Sequence, residues 1–190
     1  NLPASLEQLQ HLKSLDLSNN DLRSQLNVLG YLWKLEKLNL SNNPKLNLNN
    51  VLISVSENDN LKDLTIDASA LSKDGGRIIG KSNVETLGLN DLSSNNAKFL
   101  RLIPSVKKLA IQNSVLQDIS SLSSKFPNLK QLTIQNSMVS AQTFDQINID
   151  HLTLKATNPI LASYFKTAKK INVLDLSECE ISESELTQLK

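Results

Sequence analysis

The strongest constraint on the fold is an eight-residue phrase that the sequence uses twice. LAIQNSVL spans residues 109–116 and LTIQNSMV spans residues 132–139, 23 positions later. Aligning the chain with itself finds eight copies of one frame, and they begin at residues 12, 35, 61, 84, 106, 129, 149 and 171. A spacing of 20 to 26 residues between starts is typical of chains that build one structural unit repeatedly.

Every copy carries the same apolar pattern. Its first, fourth and sixth positions are Leu, Ile or Val, and the fourth and sixth alternate with polar residues. This period of two predicts a short strand with one buried face. Because one such strand cannot bury its apolar face alone, we expect the copies to stack in parallel and to close one continuous core.

The frame L-x-x-L-x-L-x-x-N/C-x-L resembles that of leucine-rich repeat proteins, and it covers residues 12–181. The resemblance implies an α/β solenoid, a horseshoe with a parallel concave sheet of about eight strands and short helices or turns on the convex side. We expect residues 1–190 to form a single leucine-rich repeat domain, read as a fragment without caps. Residues 2–22 resemble receptor-like repeats, whereas 126–129 and 174–186 resemble the repeats of ribonuclease inhibitor and F-box proteins.

The ninth position of the family's repeat holds a side chain that bonds to backbone groups of neighbouring turns. In this chain it is occupied by Asn20, Asn43, Ser69, Leu92, Ser114, Ser137, Thr157 and Cys179. Leu92 cannot make such bonds, so the register of the fourth repeat is expected to be locally irregular.

The segments at 72–82, 93–105 and 116–128 are long enough for one or two helical turns on the convex side. Their apolar residues recur about every three or four positions, as a core-facing helix stripe requires. The residues expected to face the core are Ile78, Leu100, Ile103, Leu122 and Phe126.

Charge and cysteine content narrow the possible partners. Twenty Lys and Arg against 19 Asp and Glu leave a formal charge of +1, which predicts neither nucleic-acid binding nor attraction to a membrane surface. No apolar run approaches the length of a membrane span, so no insertion by this segment is expected. Cys179 is the only cysteine, which favours an intracellular setting and leaves a secreted one open.

The sequence offers little for catalysis. Cys179 is interpreted as a buried ninth-position residue, and the two histidines, His11 and His151, fall in different repeats. No phosphate-binding glycine motif is present. We therefore expect a non-enzymatic protein without metal or cofactor.

Two rows of positions are expected to face outward from the sheet with different roles. The second positions alternate largely between Lys and Glu or Asp, so neighbouring strands should carry opposite charges, which is interpreted as structural. The fifth positions are small, so the concave surface should be open and should lack an aromatic platform for stacked bases.

The outward positions of repeats five to seven contain basic and amide side chains and no acidic ones. These candidate partner-binding residues, here termed the central patch, are Lys108, Gln112, Asn113, Gln131, Gln135, Asn136, His151 and Lys155. The pattern predicts a recognition module of a receptor, adaptor or effector, binding a protein on its concave face. The substrate-recognition part of a ubiquitin ligase is an alternative, and so is a polar strip that only keeps the sheet soluble.

Overall fold

The protein is described by a computed structural model, which covers residues 2–23, 26–116, 122–139, 148–157 and 171–187. Its main feature is one parallel sheet of eight strands, each paired with the strand of the next repeat. Its strands are β1 (Ser14–Asp16), β2 (Lys37–Asn39), β3 (Asp63–Asp67), β4 (Thr86–Asn90), β5 (Lys108–Gln112), β7 (Gln131–Gln135), β9 (His151–Lys155) and β10 (Val173–Asp175). Every strand of this sheet starts at the third position of a repeat, so the sheet of about eight strands is confirmed. Two strands of two residues each, β6 (Val115–Leu116) and β8 (Met138–Val139), pair in parallel outside this sheet.

The register of the sheet confirms the repeat frame. In each pair of adjacent strands, residues at the same repeat position lie beside one another, as Leu109 lies beside Leu132. Each position therefore forms a straight row across the sheet, and neighbouring members of a row are about 4.8 Å apart.

The fourth and sixth rows form the core between the sheet and the convex segments. Leu109 and Leu132 are 2% and 1% exposed, and Ile111 and Ile134 are fully buried. The last residue of the fourth row, Leu174, is less buried and is 40% exposed. Strand β10 has one neighbour in the described sheet, so one flank of Leu174 lacks a packing partner.

Short helices return the chain along the convex side, as the sequence predicts. The α-helices are α1 (Leu48–Val55), α2 (Lys73–Gly80), α3 (Ser94–Ala97), α4 (Leu122–Lys125) and α5 (Glu183–Thr187), and the 3₁₀ helices are Ala4–Gln8, Asn27–Tyr31 and Ala68–Ala70. The first repeat thus has a tight 3₁₀ return, and the second and third have helices of eight residues.

The predicted convex core residues are buried with one exception. Leu100, Ile103, Leu122 and Phe126 are each at most 2% exposed. In α2 the core position belongs to Ile79, whereas the predicted residue Ile78 is only half-buried. The stripe is shifted by one residue because α2 turns its glycines, Gly75 and Gly76, towards the interior as well.

Helix α2 lies unusually close to the next convex segment. A Cβ atom at Gly76 would collide with the backbone carbonyl oxygen of Phe99, far inside van der Waals contact. Only glycine fits this approach. The helix begins at Ser72, whose hydroxyl accepts a hydrogen bond from the Gly75 amide at 3.2 Å.

The turn that follows most strands depends on one left-handed residue. The eighth position has positive φ in seven repeats, in the residues Asn19, Asn42, Asp91, Asn113, Asn136, Ala156 and Glu178. Asn and Asp tolerate this conformation better than other non-glycine residues, which explains why they predominate here. In the third repeat the chain instead enters the 3₁₀ helix that starts at Ala68, and Ser69 is exposed.

The prediction that the fourth repeat is irregular at Leu92 is wrong. Strand β4 pairs over five residues with both neighbours, and Leu92 is 1% exposed in its ninth position. The hydroxyl of Ser114, one repeat later, accepts a hydrogen bond from the Leu92 amide at 2.9 Å. The Ser114 amide bonds in the same way to the Ser137 hydroxyl, so a leucine at the ninth position leaves this buried amide satisfied.

Candidate functional site

The concave face consists of the third, fifth and seventh rows of the sheet. The fifth row, along the middle, is occupied by Asp16, Asn39, Thr65, Gly88, Ala110, Thr133, Thr153 and Asp175. At Gly88 the side chain of Thr65 leans over the space that a Cβ would occupy, with Oγ1 2.5 Å away. The surface is shallow and polar, and these rows of the described strands contain no Phe, Tyr or Trp.

Strand pairing brings the central patch together. In the third row Lys108 lies beside Gln131 and Gln131 beside His151. In the seventh row the same three strands align Gln112, Gln135 and Lys155, and Asn113 and Asn136 follow directly in sequence. Lys108 and His151 are exposed, and Gln131 is half-buried between them. The eight residues thus form one continuous surface.

Lys155 differs from the other cation of the patch. Its Nζ lies 2.9 Å from Oε1 of Glu178 on the following turn. The hydrogen bond and the charge of Glu178 raise the pKa of Lys155 above its ordinary value. Lys108 has no such partner among the described residues. The sequence reasoning treated the two lysines alike and did not include Glu178 in the patch.

Asn113 and Asn136 belong to a ladder of side-chain amides along the end of the sheet. This outer ladder consists of Asn19, Asn42, Asn90, Asn113 and Asn136. In each contact the Nδ2 of the later residue donates to the Oδ1 of an earlier one, with distances of 2.9 Å for Asn42 to Asn19, 3.0 Å for Asn90 to Asn42, 2.6 Å for Asn113 to Asn90 and 2.6 Å for Asn136 to Asn113.

Asp67 supports the outer ladder where the third repeat has no asparagine at its eighth position. Its carboxylate accepts hydrogen bonds from the backbone amides of Asn42 and Asn43 at 2.9 and 2.8 Å, and from Nδ2 of Asn90 at 2.8 Å. The sequence reasoning missed the outer ladder, although the recurrence of Asn at the eighth position is its signal. Part of the hydrogen-bonding capacity of Asn113 and Asn136 is therefore used inside the protein.

An inner ladder of ninth-position side chains lies behind the outer one. Asn43 Nδ2 donates to the carbonyls of Leu17 and Leu40, and the hydroxyl of Ser137 accepts from the Ser114 amide. Cys179 is half-buried and its Sγ donates to the carbonyl of Leu154 at 3.2 Å. These contacts match the structural role that the resemblance implies for the ninth position.

The second row forms ion pairs between strands, as its alternating charges predict. The contacts are Lys13 Nζ to Glu36 at 2.7 Å, Lys107 Nζ to Glu85 at 2.8 Å and Lys130 Nζ to Asp150 at 3.9 Å. The hydrogen bond from Lys107 lowers the pKa of Glu85 below its ordinary value. All six side chains are well exposed, so solvent screens each pair and its contribution to stability is small.

The patch borders an open groove of about 590 Å³ at the amino ends of the strands. The groove is lined by Glu36, Lys37, Asn60, Lys62, Asp63, Glu85, Thr86, Lys107 and Lys108. All are polar and their charges are of both signs, so the groove suits solvated polar contacts better than an apolar ligand.

The part of the chain that the structure describes contains no group of three or more His, Cys, Asp or Glu side chains arranged to hold a metal ion. None of the described helices is long and apolar enough to cross a membrane.

The repeat frame, the parallel sheet and the helical convex side together define the leucine-rich repeat fold, and the chain has this fold. Among solved structures it is similar to TLR13 in its complex with ssRNA13, with 18% sequence identity and a TM-score of 0.60 over 97% of this chain. It is also similar to internalin C2 and internalin InlF of Listeria monocytogenes, with 17% and 16% identity and TM-scores of 0.51 and 0.52, each over 97% of this chain.

These similarities cover unequal parts of the other proteins. The chain spans 32% of the TLR13 chain, 80% of internalin C2 and 60% of InlF. No family model matches the sequence, and no curated protein matches it either. At such low identity the structural similarity establishes the fold and leaves function to the residues of this chain.

Proposed function

We propose that residues 1–190 form a single recognition domain that binds a protein partner on its concave face, and that it does so without catalysis. The observation that carries the proposal is the assembly of the central patch. Three adjacent strands present Lys108, Gln131, Gln135 and their neighbours in two aligned rows on an open surface.

The chemistry of this surface suits a polar or acidic protein segment. Gln112 and Gln135 are half-buried and lie in register, with Nε2 of Gln112 3.4 Å from Oε1 of Gln135. Each amide can still donate and accept further hydrogen bonds. Lys108 adds a positive charge that forms no ion pair in the described part of the chain, and such a charge speeds association with an acidic partner.

The same features favour a protein over a nucleic acid. TLR13 was solved in complex with ssRNA13, which makes RNA a fair comparison. Backbone binding to RNA requires several lysines or arginines whose charges are available to phosphates. Here Lys107, Lys130 and Lys155 each have a carboxylate beside them. Receptor, adaptor, effector and ubiquitin-ligase roles would all use this one binding function.

Site-specific photo-crosslinking tests the proposal. A photoreactive amino acid replaces Gln131 in the patch or, as a control, Ile53, which is 60% exposed on convex helix α1. Crosslinking in extracts of the source cells followed by mass spectrometry should identify a protein captured from position 131 and not from position 53. That protein is then purified and its affinity is measured directly.

The purified partner should bind the Lys108→Glu variant at least about tenfold more weakly than the unmodified protein, and chiefly through slower association. Lys37→Glu is the matched control, because Lys37 occupies the third position of the second repeat, outside the central patch, and is also exposed. Unchanged binding by the Lys108→Glu variant would contradict a site on the central patch. Capture of the same protein from position 53 would place the site on the convex side.

A further inference from the structure

The positive groups around the central patch differ in how far they are neutralised. Three lysines lie beside carboxylates, and their pairs are Lys107 with Glu85 at 2.8 Å, Lys130 with Asp150 at 3.9 Å and Lys155 with Glu178 at 2.9 Å. Lys108 has no ion pair in the part of the chain that the structure describes. His151 has no acidic contact there either. Lys108 is therefore a cation whose charge a partner can use, and His151 presents an exposed imidazole in the same row.

Lys108 and His151 are related by the register of the sheet. Both are third-position residues, and Gln131 lies between them on β7. Two strand spacings separate their Cα atoms by about 10 Å. Lysine and imidazole side chains are long enough to reach one bound group over that distance, and Gln131 occupies the position between them.

We infer that Lys108, Gln131 and His151 form a subsite for a carboxylate side chain of the protein partner, and that protonation of His151 tightens its binding. This inference rests on the proposed function and specifies the partner's chemistry. A carboxylate has two oxygens and about four lone-pair positions. It can accept hydrogen bonds from the Lys108 ammonium, the Gln131 amide and an imidazole N–H at once.

The floor of the subsite leaves room for such a group. The fifth-row residues of the same three strands are Ala110, Thr133 and Thr153, and each is half-buried and small. A partner side chain can thus approach the third row from the centre of the concave face without meeting a bulky neighbour.

The groups around His151 leave its own charge as the main cause of any pH dependence of carboxylate binding at the subsite. Lys130, the residue before β7, pairs with Asp150, the residue before His151. On β10 the residue in register is Val173. Lys155 and Asp175 lie towards the other end of their strands, and Lys155 is held by Glu178. A histidine changes its charge between about pH 5 and 8. Gain of that charge adds an attraction for a carboxylate, so affinity should rise as the pH falls.

Hexaglutamate is a suitable probe, because its side chains stay ionised at both about pH 6 and about pH 8. Amide NMR titrations with hexaglutamate should shift the signals of Lys108, Gln131 and His151. Binding should be about two- to fivefold tighter at the lower pH, the range expected for one exposed ion pair. The His151→Gln variant should bind equally at both pH values, with the affinity of the unmodified protein at the higher one.

The chain supplies its own control, since it contains only one other histidine. His11 lies in the first repeat, and Lys34 Nζ is 3.1 Å from its Nδ1. His11→Gln should retain the full pH dependence. Lys108→Gln should weaken binding at both pH values.

Three results would overturn the subsite. They are the absence of shifts at these residues with millimolar hexaglutamate, a pH dependence that survives His151→Gln, and a tighter interaction of the same residues with oligouridylate than with hexaglutamate. If the crosslinked protein still requires Lys108 in those cases, the concave recognition function stands without this subsite. If neither hexaglutamate nor a crosslinked protein contacts the concave face, both fail.

Discussion

The side-chain amide of Asn136 donates a hydrogen bond to Oδ1 of Asn113 at 2.6 Å, and the next eighth-position residue, Ala156, cannot continue the ladder. Ala156 nevertheless keeps the left-handed backbone conformation of the other turns, with φ of 46°. An alanine in this region is strained by about 1–2 kcal/mol. The outer ladder therefore ends at a residue whose backbone would favour Asn or Gly.

We predict that Ala156→Asn stabilises the protein by about 1 kcal/mol or more, measured by urea denaturation. The substitution relieves the backbone strain and supplies an Nδ2 that can donate to Oδ1 of Asn136. Ala156→Gly is the control, since it relieves the strain without adding an amide. Equal stability of the two variants would show that the added rung contributes nothing.

The core row gives a second prediction. Leu132→Ala should lower the free energy of unfolding by about 2–5 kcal/mol, because this leucine is 1% exposed and its removal leaves a cavity. Thr133→Ala, one residue further on the concave side, should cost far less. Similar urea midpoints for the two variants would contradict the assignment of the rows.

The two tightly placed glycines should respond differently to a methyl group. Gly76→Ala should destabilise the fold by about 3 kcal/mol or more, because the obstacle is the backbone carbonyl of Phe99. Gly88→Ala meets only the side chain of Thr65, so a second substitution, Thr65→Ala, should recover most of its cost. Failure of that rescue would mean that Gly88 is required for another reason.

Cys179 should behave as a structural thiol. Its Sγ donates to a backbone carbonyl and the residue is half-buried, so we expect slow reaction with Ellman's reagent in the folded protein and fast reaction in urea. Cys179→Ser preserves a donor and should fold with a modest loss of stability. A thiol that reacts as fast in the native state as in urea would contradict this role.

Acid should weaken the ion pair of Glu85 with Lys107. The pKa of Glu85 is lower in the folded protein than its ordinary value, so its contribution to stability is present above the unfolded pKa and is lost as pH falls through the folded one. The Glu85→Gln variant lacks this contribution. Its urea midpoint should therefore fall less than that of the unmodified protein between about pH 5 and pH 3. Parallel acid profiles would show that the pair has no effect on stability.

The fold could be predicted from the sequence because its information is periodic. Leucines at the fourth and sixth positions specify the buried face of each strand, and eight copies specify the register between strands. The convex side was predicted less sharply. In α2 a shift of one residue exchanges Ile78 for Ile79, since a helix of eight residues carries too little pattern to fix its rotation.

For the candidate site, the sequence predicted the positions of the residues but not the contacts between their side chains. The sequence indicated which residues share the concave face, because strand alternation determines that. It could not indicate that Lys155 is neutralised, because its contact with Glu178 depends on the left-handed backbone of Glu178 in the turn after β10. Nor could spacing alone show that Asp67 takes over in the third repeat, where two backbone amides point at its carboxylate.

The straight rows of the sheet also have a mechanical consequence. Hydrogen bonds between parallel strands lie along the direction in which the repeats stack, and the bonds of the outer ladder connect successive repeats in the same direction. Tension applied along the stack breaks the bonds between one pair of repeats at a time, instead of shearing all the bonds of a strand simultaneously. The protein should consequently unfold at low force when it is pulled along the stack, and its length should increase in steps of one repeat.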